Sequence, residues 1–231
     1  MKPEYKNVKA ILFDSGHTLN KPKTGHWFIP PNFDRIVDSS KINFNSLLFK
    51  YAMRRATKHL SKNHNIPSER EEFLLFKEFY SILLKKSRYP NVDDKLISAL
   101  SEDTVYNDNK FEFFEDVDEA IKNLSEKYTL GIVSGTWPSL ERVFINRGLR
   151  QYFSTFVMSS IYGEFHSKRN LLAIALKELN IEPWEAIFID DSEHNLIEAK
   201  KLGIIPIKIN RYNCKKSKYN FNEITTLEEL L

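Results

Sequence analysis

Val8-Lys9-Ala10-Ile11-Leu12-Phe13-Asp14-Ser15-Gly16-His17-Thr18-Leu19 begins as an apolar run and breaks off into a carboxylate and a glycine-containing turn. Its apolar residues sit at consecutive positions, not alternate ones. That pattern suits a strand covered on both faces, as in a parallel sheet. The strand delivers Asp14 to its C-terminal tip, a place from which a side chain acts as nucleophile or metal ligand. Four further runs have the same character, at 130–133, 153–158, 186–189 and 204–209. Between them fall helical stripes: Ala120, Ile121, Leu124 and Tyr128; Leu172, Ala175, Leu176 and Leu179; Leu196, Ala199 and Leu202. This alternation predicts an α/β fold, a Rossmann-like three-layer core around a five-stranded parallel sheet with right-handed crossovers. In such sheets the working crevice lies beyond the carboxyl ends of the strands.

The rhythm stops between the first strand and about Phe111. Leu48, Tyr51, Ala52, Arg55, Ala56, His59 and Leu60 mark one helix, ending near 63–67. Ser68 caps a second, with Glu71 placed for a capping box and Phe73, Phe76, Tyr80, Leu83 and Leu84 as its buried face. A third spans 93–100. The stretch 21–34, with Trp27, Phe28 and prolines at 22, 30 and 31, reads as a stiff irregular connector lining the site entrance. The expected organisation is therefore an α/β core of residues 1–20 and 111–231, interrupted by an α-helical cap of residues 21–110.

Composition narrows the function classes. Basic and acidic side chains nearly balance, 34 against 31, which forecasts no nucleic-acid partner. The local exception, Lys215-Lys216-Ser217-Lys218, reads as a solvated loop. Cys214 is the only cysteine, so no internal disulfide forms and a reducing cytoplasm is expected. No run reaches the ~20 apolar residues of a membrane span, and the charged N-terminal stretch lacks a signal-peptide core. None of the 7 glycines builds a G-x-x-x-x-G-K phosphate loop.

Four segments fall where strands end: Asp14-Ser15-Gly16-His17-Thr18, Ser134-Gly135-Thr136, Lys168 on the 163–170 helix entry, and Asp190-Asp191-Ser192-Glu193-His194-Asn195. In this order they resemble the haloacid dehalogenase superfamily: its D-x-D-G-T-L box, its acidic D-D-S-x-x-N variant, and a helical cap after the first strand. The tail 224–230 resembles the closing helix of such cores. The resemblance implies a Mg²⁺-dependent hydrolase acting on a small phosphorylated metabolite enclosed between core and cap. It gives Asp14 the role of nucleophile and metal ligand, Gly16 that of a backbone ligand, and Asp191 and Asp190 those of metal carboxylate and supporting or alternative ligand. Ser134 and Gly135 would hold phosphate oxygens, and Lys168 would anchor the nucleophile and stabilise the transition state.

Gly16 stands where most phosphatases of the superfamily carry a second aspartate, the general acid/base. Losing such a group costs about 10²–10⁴ in rate. Three expectations follow: a leaving group that needs no proton, His17 as substitute acid, or a silent binder of a phosphorylated ligand on an inherited scaffold. Carbon–phosphorus bond hydrolysis, which recruits a desolvated cap lysine, is a further alternative, with Lys50 and Lys58 as the candidates. Arg54 and Arg55 read as surface residues or as readers of a second anionic group, and His26 and Trp27 as cap–core packing or substrate contacts. His194 is expected to face solvent.

Overall fold

The computed structural model describes residues 7–163, 167–212 and 218–231. Cys214, the basic run 215–217 and His166 lie outside the described residues, while Lys218 is exposed. In chain order the elements are β1 (Ala10–Phe13), β2 (Asn20–Pro22), α1 (Phe33–Ile36), α2 (Leu47–Lys62), α3 (Glu69–Lys86) and α4 (Asp94–Val105). Then come β3 (Phe111–Phe113), α5 (Val117–Ser125), β4 (Thr129–Ser134), α6 (Ser139–Asn146), β5 (Phe153–Met158) and α7 (Ser159–Tyr162). The chain closes with α8 (Lys168–Leu179), β6 (Ala186–Asp190), α9 (Glu193–Leu202), β7 (Ile205–Ile209) and β8 (Asn222–Ile224). Two compact units result, one of residues 1–21, 113–136 and 140–231, the other of residues 22–112 and 137–139.

The first unit is a parallel α/β sheet in the order β5-β4-β1-β6-β7-β8. It has six strands where the apolar runs predicted five. The extra strand, β8, pairs with β7 from Ile207↔Asn222 to Ile209↔Ile224. It escapes an apolar-run reading because only Ile224 of its three residues is buried. The expected closing helix at 224–230 is instead this edge strand followed by a 3₁₀ turn over Leu227–Leu230. Every residue of β1 and β6 is buried, as central strands covered on both faces must be. α5 buries Val117, Ala120, Ile121 and Leu124, and α8 buries Leu171, Leu172, Ala175 and Leu176, the faces their 3.6-residue periodicity marks. Gly131 in β4 is required by packing: a Cβ there would lie 2.6 Å from the Thr155 methyl and 2.8 Å from Leu12 Cδ2.

The second unit is helical, and its core joins α2, α3 and α4. Each helix opens on a side-chain cap, with Ser46, Ser68 and Asp93 accepting from the amides of Phe49, Glu71 and Leu96. The buried face of α2 differs from the sequence expectation. Phe49, Ala52, Ala56 and Leu60 point inward, whereas Tyr51 is 51% exposed and Arg55 is exposed. Small Ala52 and Ala56 let α2 approach the aromatic face of α3 closely, and that packing outweighs the larger but differently placed Leu48 and Tyr51. α3 buries Leu75, Phe76, Phe79, Tyr80, Leu83 and Leu84, and also Glu72. α4 runs a turn beyond the expected end at Leu100, burying Ser101, Asp103, Thr104 and Val105; the Ser101 and Thr104 hydroxyls are satisfied by bonding back to the Ile97 and Leu100 carbonyls at 2.8 and 2.9 Å. In the connector, Trp27 sets its ring edge-on to Phe111, and the Asn32 amide and side chain both donate to Asp103 at 2.7 Å. No helix among the described residues is long and apolar enough to cross a membrane.

Candidate active site

The site is a product of parallel register. β1 lies between β4 and β6, pairing Phe13 with Ile132 on one side and with Ile189 on the other. The next residues along these strands, Asp14, Val133-Ser134 and Asp190, therefore emerge together at one sheet edge. The Asp14 amide donates to the Ile189 carbonyl at 2.9 Å, which continues the ladder one step past β1. The turn that follows is tight: the Ser15 carbonyl accepts from the amides of Thr18, Leu19 and Asn20, and Asn20 Nδ2 donates to Ser15 Oγ at 2.7 Å.

Asp14, Asp190 and Asp191 bring one carboxylate oxygen each to within 4.8 Å of one another. Lys168, the first residue of α8, reaches into this cluster from a buried position. Its ammonium donates to Asp14 Oδ1 at 2.6 Å and to the Val133 carbonyl at 2.9 Å, and lies 3.6 Å from Asp190 Oδ2. The Ser167 hydroxyl caps α8 by accepting from the Asn170 amide, which fixes where Lys168 starts. Asp190 is fully buried; it accepts from the Ser192 amide at 2.7 Å and from Asn195 Nδ2 at 2.9 Å. Both partners come from the acidic segment itself, so the D-D-S-x-x-N spacing is a device for holding Asp190 still.

Charge is unbalanced here. Three carboxylates face one ammonium. Burial pushes the Asp190 carboxyl up, and repulsion from Asp14 pushes it further. Asp191 is exposed as a residue, yet partial desolvation of its carboxyl and the charge of Asp14 push it up to about 6, against a lowering pull from His17. Burial alone would lower Lys168, but the attraction of Asp14 and Asp190 outweighs it and the net shift is upward. A group of oxygen donors with excess negative charge fits a hard divalent cation of the Mg²⁺ type.

The remaining sequence candidates fall around this cluster. Ser134 is buried at the tip of β4, next to the Val133 carbonyl that Lys168 engages, and Gly135 follows it exposed. Gly16 lies half-buried in the turn after Asp14. His17 takes a left-handed backbone (φ 57°) and its Nδ1 is 3.0 Å from the Tyr212 hydroxyl. Tyr212 had no signal in the sequence, since 195 residues separate the pair. Lys50, Lys58, Arg54, Arg55 and His194 are exposed. For the two lysines this removes the desolvation that an amine nucleophile requires.

Comparisons with known proteins agree with the fold and separate it from the chemistry. A Clostridium perfringens protein designated pyrophosphatase PpaX is 24% identical over 199 residues, 85% of this chain and 81% of the relative. Among solved structures, a phosphatase from Thermococcus onnurineus matches with TM-score 0.64 at 23% identity, over 96% of each chain. A 2-haloacid dehalogenase from Pseudomonas syringae matches equally well, TM-score 0.68 at 17% identity over 96% of each chain. Both phosphatase and dehalogenase thus share this backbone, and a shared backbone does not select between them. The profile of the haloacid dehalogenase-like hydrolases matches residues 36–209, a span holding Ser134, Lys168, Asp190 and Asp191 though not Asp14. On that match, together with a parallel core that gathers Asp14, Lys168 and the acidic pair at one sheet edge, the chain belongs to the haloacid dehalogenase-like hydrolase family.

Proposed function

We propose that the protein is a Mg²⁺-dependent phosphatase for a small phosphorylated metabolite, with Asp14 as nucleophile and residues 21–110 as its helical cap. The observation that carries this reading is the meeting of Asp14, Asp190 and Asp191 around Lys168. Two carboxylates beyond the nucleophile are surplus to displacing a halide, but they suit a cation. Asp14, Asp191 and Asp190, with the carbonyl of Gly16, would hold Mg²⁺. When bound, it supplies charge neutralisation for the approach of an anionic phosphoryl group to a carboxylate.

The chain's own residues supply the rest. Asp14 attacks phosphorus; an O–P bond forms to its carboxylate as the ester P–O bond breaks, giving an aspartyl-phosphate and an alkoxide. Lys168 holds Asp14 in line and neutralises part of the charge on the transferring oxygens. The Ser134 hydroxyl and the Gly135 amide hold phosphate oxygens, while the Thr136 amide is given to Ser159 Oγ at 3.0 Å and fixes the turn. With Gly16 offering no carboxyl, His17 gives the leaving alcohol its proton. Tyr212, on Nδ1, orients that ring. Water then opens the acyl phosphate, releasing inorganic phosphate and restoring Asp14.

The test is release of phosphate from an aryl phosphate with and without Mg²⁺. Metal-dependent release that disappears in Asp14→Asn, with the fold intact, is the expected result. More than a few per cent of turnover in that variant removes the covalent mechanism. No release, with tight binding of a phosphate analogue, replaces the enzyme with a silent binder.

A further inference from the structure

Directly after the 134–136 turn the chain leaves the α/β unit for three residues. Trp137, Pro138 and Ser139 belong to the helical unit, and Leu140 returns to the first. Within the helical unit Trp137 is held by ring packing and Ser139 by hydrogen bonds. The Trp137 ring packs edge-on against Phe76 at 5.4 Å, Phe28 at 6.3 Å and His64 at 5.8 Å. Glu72 of α3, 1% exposed, takes both polar hydrogens of Ser139: the amide donates to Oε2 at 2.8 Å and the hydroxyl to Oε1 at 2.6 Å. The ammonium of Lys110 donates to the same hydroxyl oxygen at 2.6 Å and to the carbonyls of Thr104 and Val105. Both polar hydrogens of Ser139 are used, and its hydroxyl oxygen also accepts from Lys110.

Such an arrangement is costly for a structural joint alone. A buried carboxylate, even with an ammonium reaching it through a shared hydroxyl, returns little net stability compared with apolar residues of the same volume. What it does provide is fixed position and orientation for one peptide unit. On the other side of the turn, Ser159 Oγ accepts from the Thr136 amide at 3.0 Å, and the Thr136 carbonyl accepts from the Ser160 amide at 3.2 Å. The segment bearing Ser134, Gly135 and Thr136 is thus tied at Thr136 to the α/β unit. Three residues on, at Ser139, it is tied to the helical one. A displacement of Ser139 reaches Thr136 through a few peptide planes, one of them fixed by the ring of Pro138.

We infer that Glu72, through Ser139 and with Lys110, is a positioning residue for the 134–136 phosphate turn, so that a side chain of the helical unit sets the affinity of the core for a phosphate group. The inference rests on the phosphatase reading above. It assigns α3 a part in phosphate recognition without contact to the phosphate.

The experiment uses the full chain with Mg²⁺ in four forms: wild type, Glu72→Gln, Ser139→Ala and Phe79→Leu. Glu72→Gln keeps the shape but loses one of the two acceptors. Ser139→Ala keeps the amide bond to Glu72 and removes only the hydroxyl. Phe79→Leu loosens the same helix without touching Ser139. Two quantities are read: hydrogen–deuterium exchange of peptides covering 130–139, which needs no ligand, and the Kd of inorganic phosphate together with KM and kcat on an aryl phosphate. Glu72→Gln is expected to speed exchange over 134–139 and to weaken phosphate by about 10-fold, with Ser139→Ala between it and wild type. A misplacement of about 1 Å can cost about 10²-fold, and the smaller shift expected on losing one of two acceptors costs correspondingly less. Phe79→Leu should lower Tm yet leave phosphate affinity within twofold. Wild-type exchange and affinity in Glu72→Gln overturn the inference, and so does a parallel loss in Phe79→Leu, which would mark a merely structural role. Faster exchange with unchanged phosphate affinity also overturns it. A wild type that neither binds nor releases phosphate sinks the phosphatase reading instead, and the exchange arm then shows separately whether Glu72 fixes the turn.

Discussion

At the scale of single residues, the site is governed by one ammonium answering three carboxylates. Lys168 →Met would leave Asp14 and Asp190 facing each other in a buried space with nothing between them. The expected outcome is loss of turnover by at least 10²-fold, the typical size for removal of a transition-state charge partner, with Tm also lowered. Kinetics and a melting curve in the presence of Mg²⁺ check both. Glu72 allows a second prediction, with a sign. Burial raises its carboxyl, opposed by Lys110 and the two bonds from Ser139, with a small raising effect of Glu69. A carboxyl raised in the fold favours the protonated protein. Its contribution to stability is complete below the unfolded value of about 4.3 and fades as pH rises through the folded one. The difference in Tm between Glu72→Gln and wild type should therefore shift in favour of Gln as pH goes from about 4 to 7. A difference that stays flat over this range would mean that Glu72 is not raised.

Elements show what a sequence discloses and what it withholds. Five strands were legible because consecutive apolar residues have few other uses, and Asp14 and Asp190-Asp191 because they end such runs. Lys168 was legible only through the resemblance to the superfamily, since a lysine at a helix entry is commonplace by itself. Glu72 was not: one acid among Glu69, Glu71 and Glu72 at the start of a helix reads as ordinary dipole chemistry, and its partner lies 67 residues away. The face of α2 was misplaced for a related reason, since small alanines carry no apolar signal comparable to Leu48 or Tyr51, yet it is their smallness that admits α3. Within β4, Gly131 is an element-scale requirement with a direct test. Gly131→Ala must push aside Thr155 or Leu12, so unfolding free energy should fall by about 1–3 kcal/mol, the usual range for overpacking. Denaturant titration measures it, and an unchanged midpoint would contradict the close approach of β4 to its neighbours.

For the whole molecule, the acidic cluster ties stability to pH and to divalent cations together. With Asp190 raised by burial and by Asp14, and the more open Asp191 raised by partial desolvation and by Asp14, protonation favours the fold. Without divalent cations, stability should fall as pH rises through about 6, where Asp191 ionises, and beyond it as Asp190 follows. A cation competes with those protons, so Mg²⁺ should raise Tm more at pH 8 than at pH 5. Melting curves at the two pH values, with EDTA and with millimolar Mg²⁺, settle the matter; equal gains at both would place the cation elsewhere.

The short polar strand β8 has a consequence of its own. It occupies the flank of β7, whose Ile207 and Ile209 are buried. Cutting the chain before residue 218 would bare a hydrophobic ribbon of unpaired amides and carbonyls, the kind of border along which separate molecules stitch together. The final fourteen residues then serve as a selvedge, keeping one copy's sheet from being extended by the next.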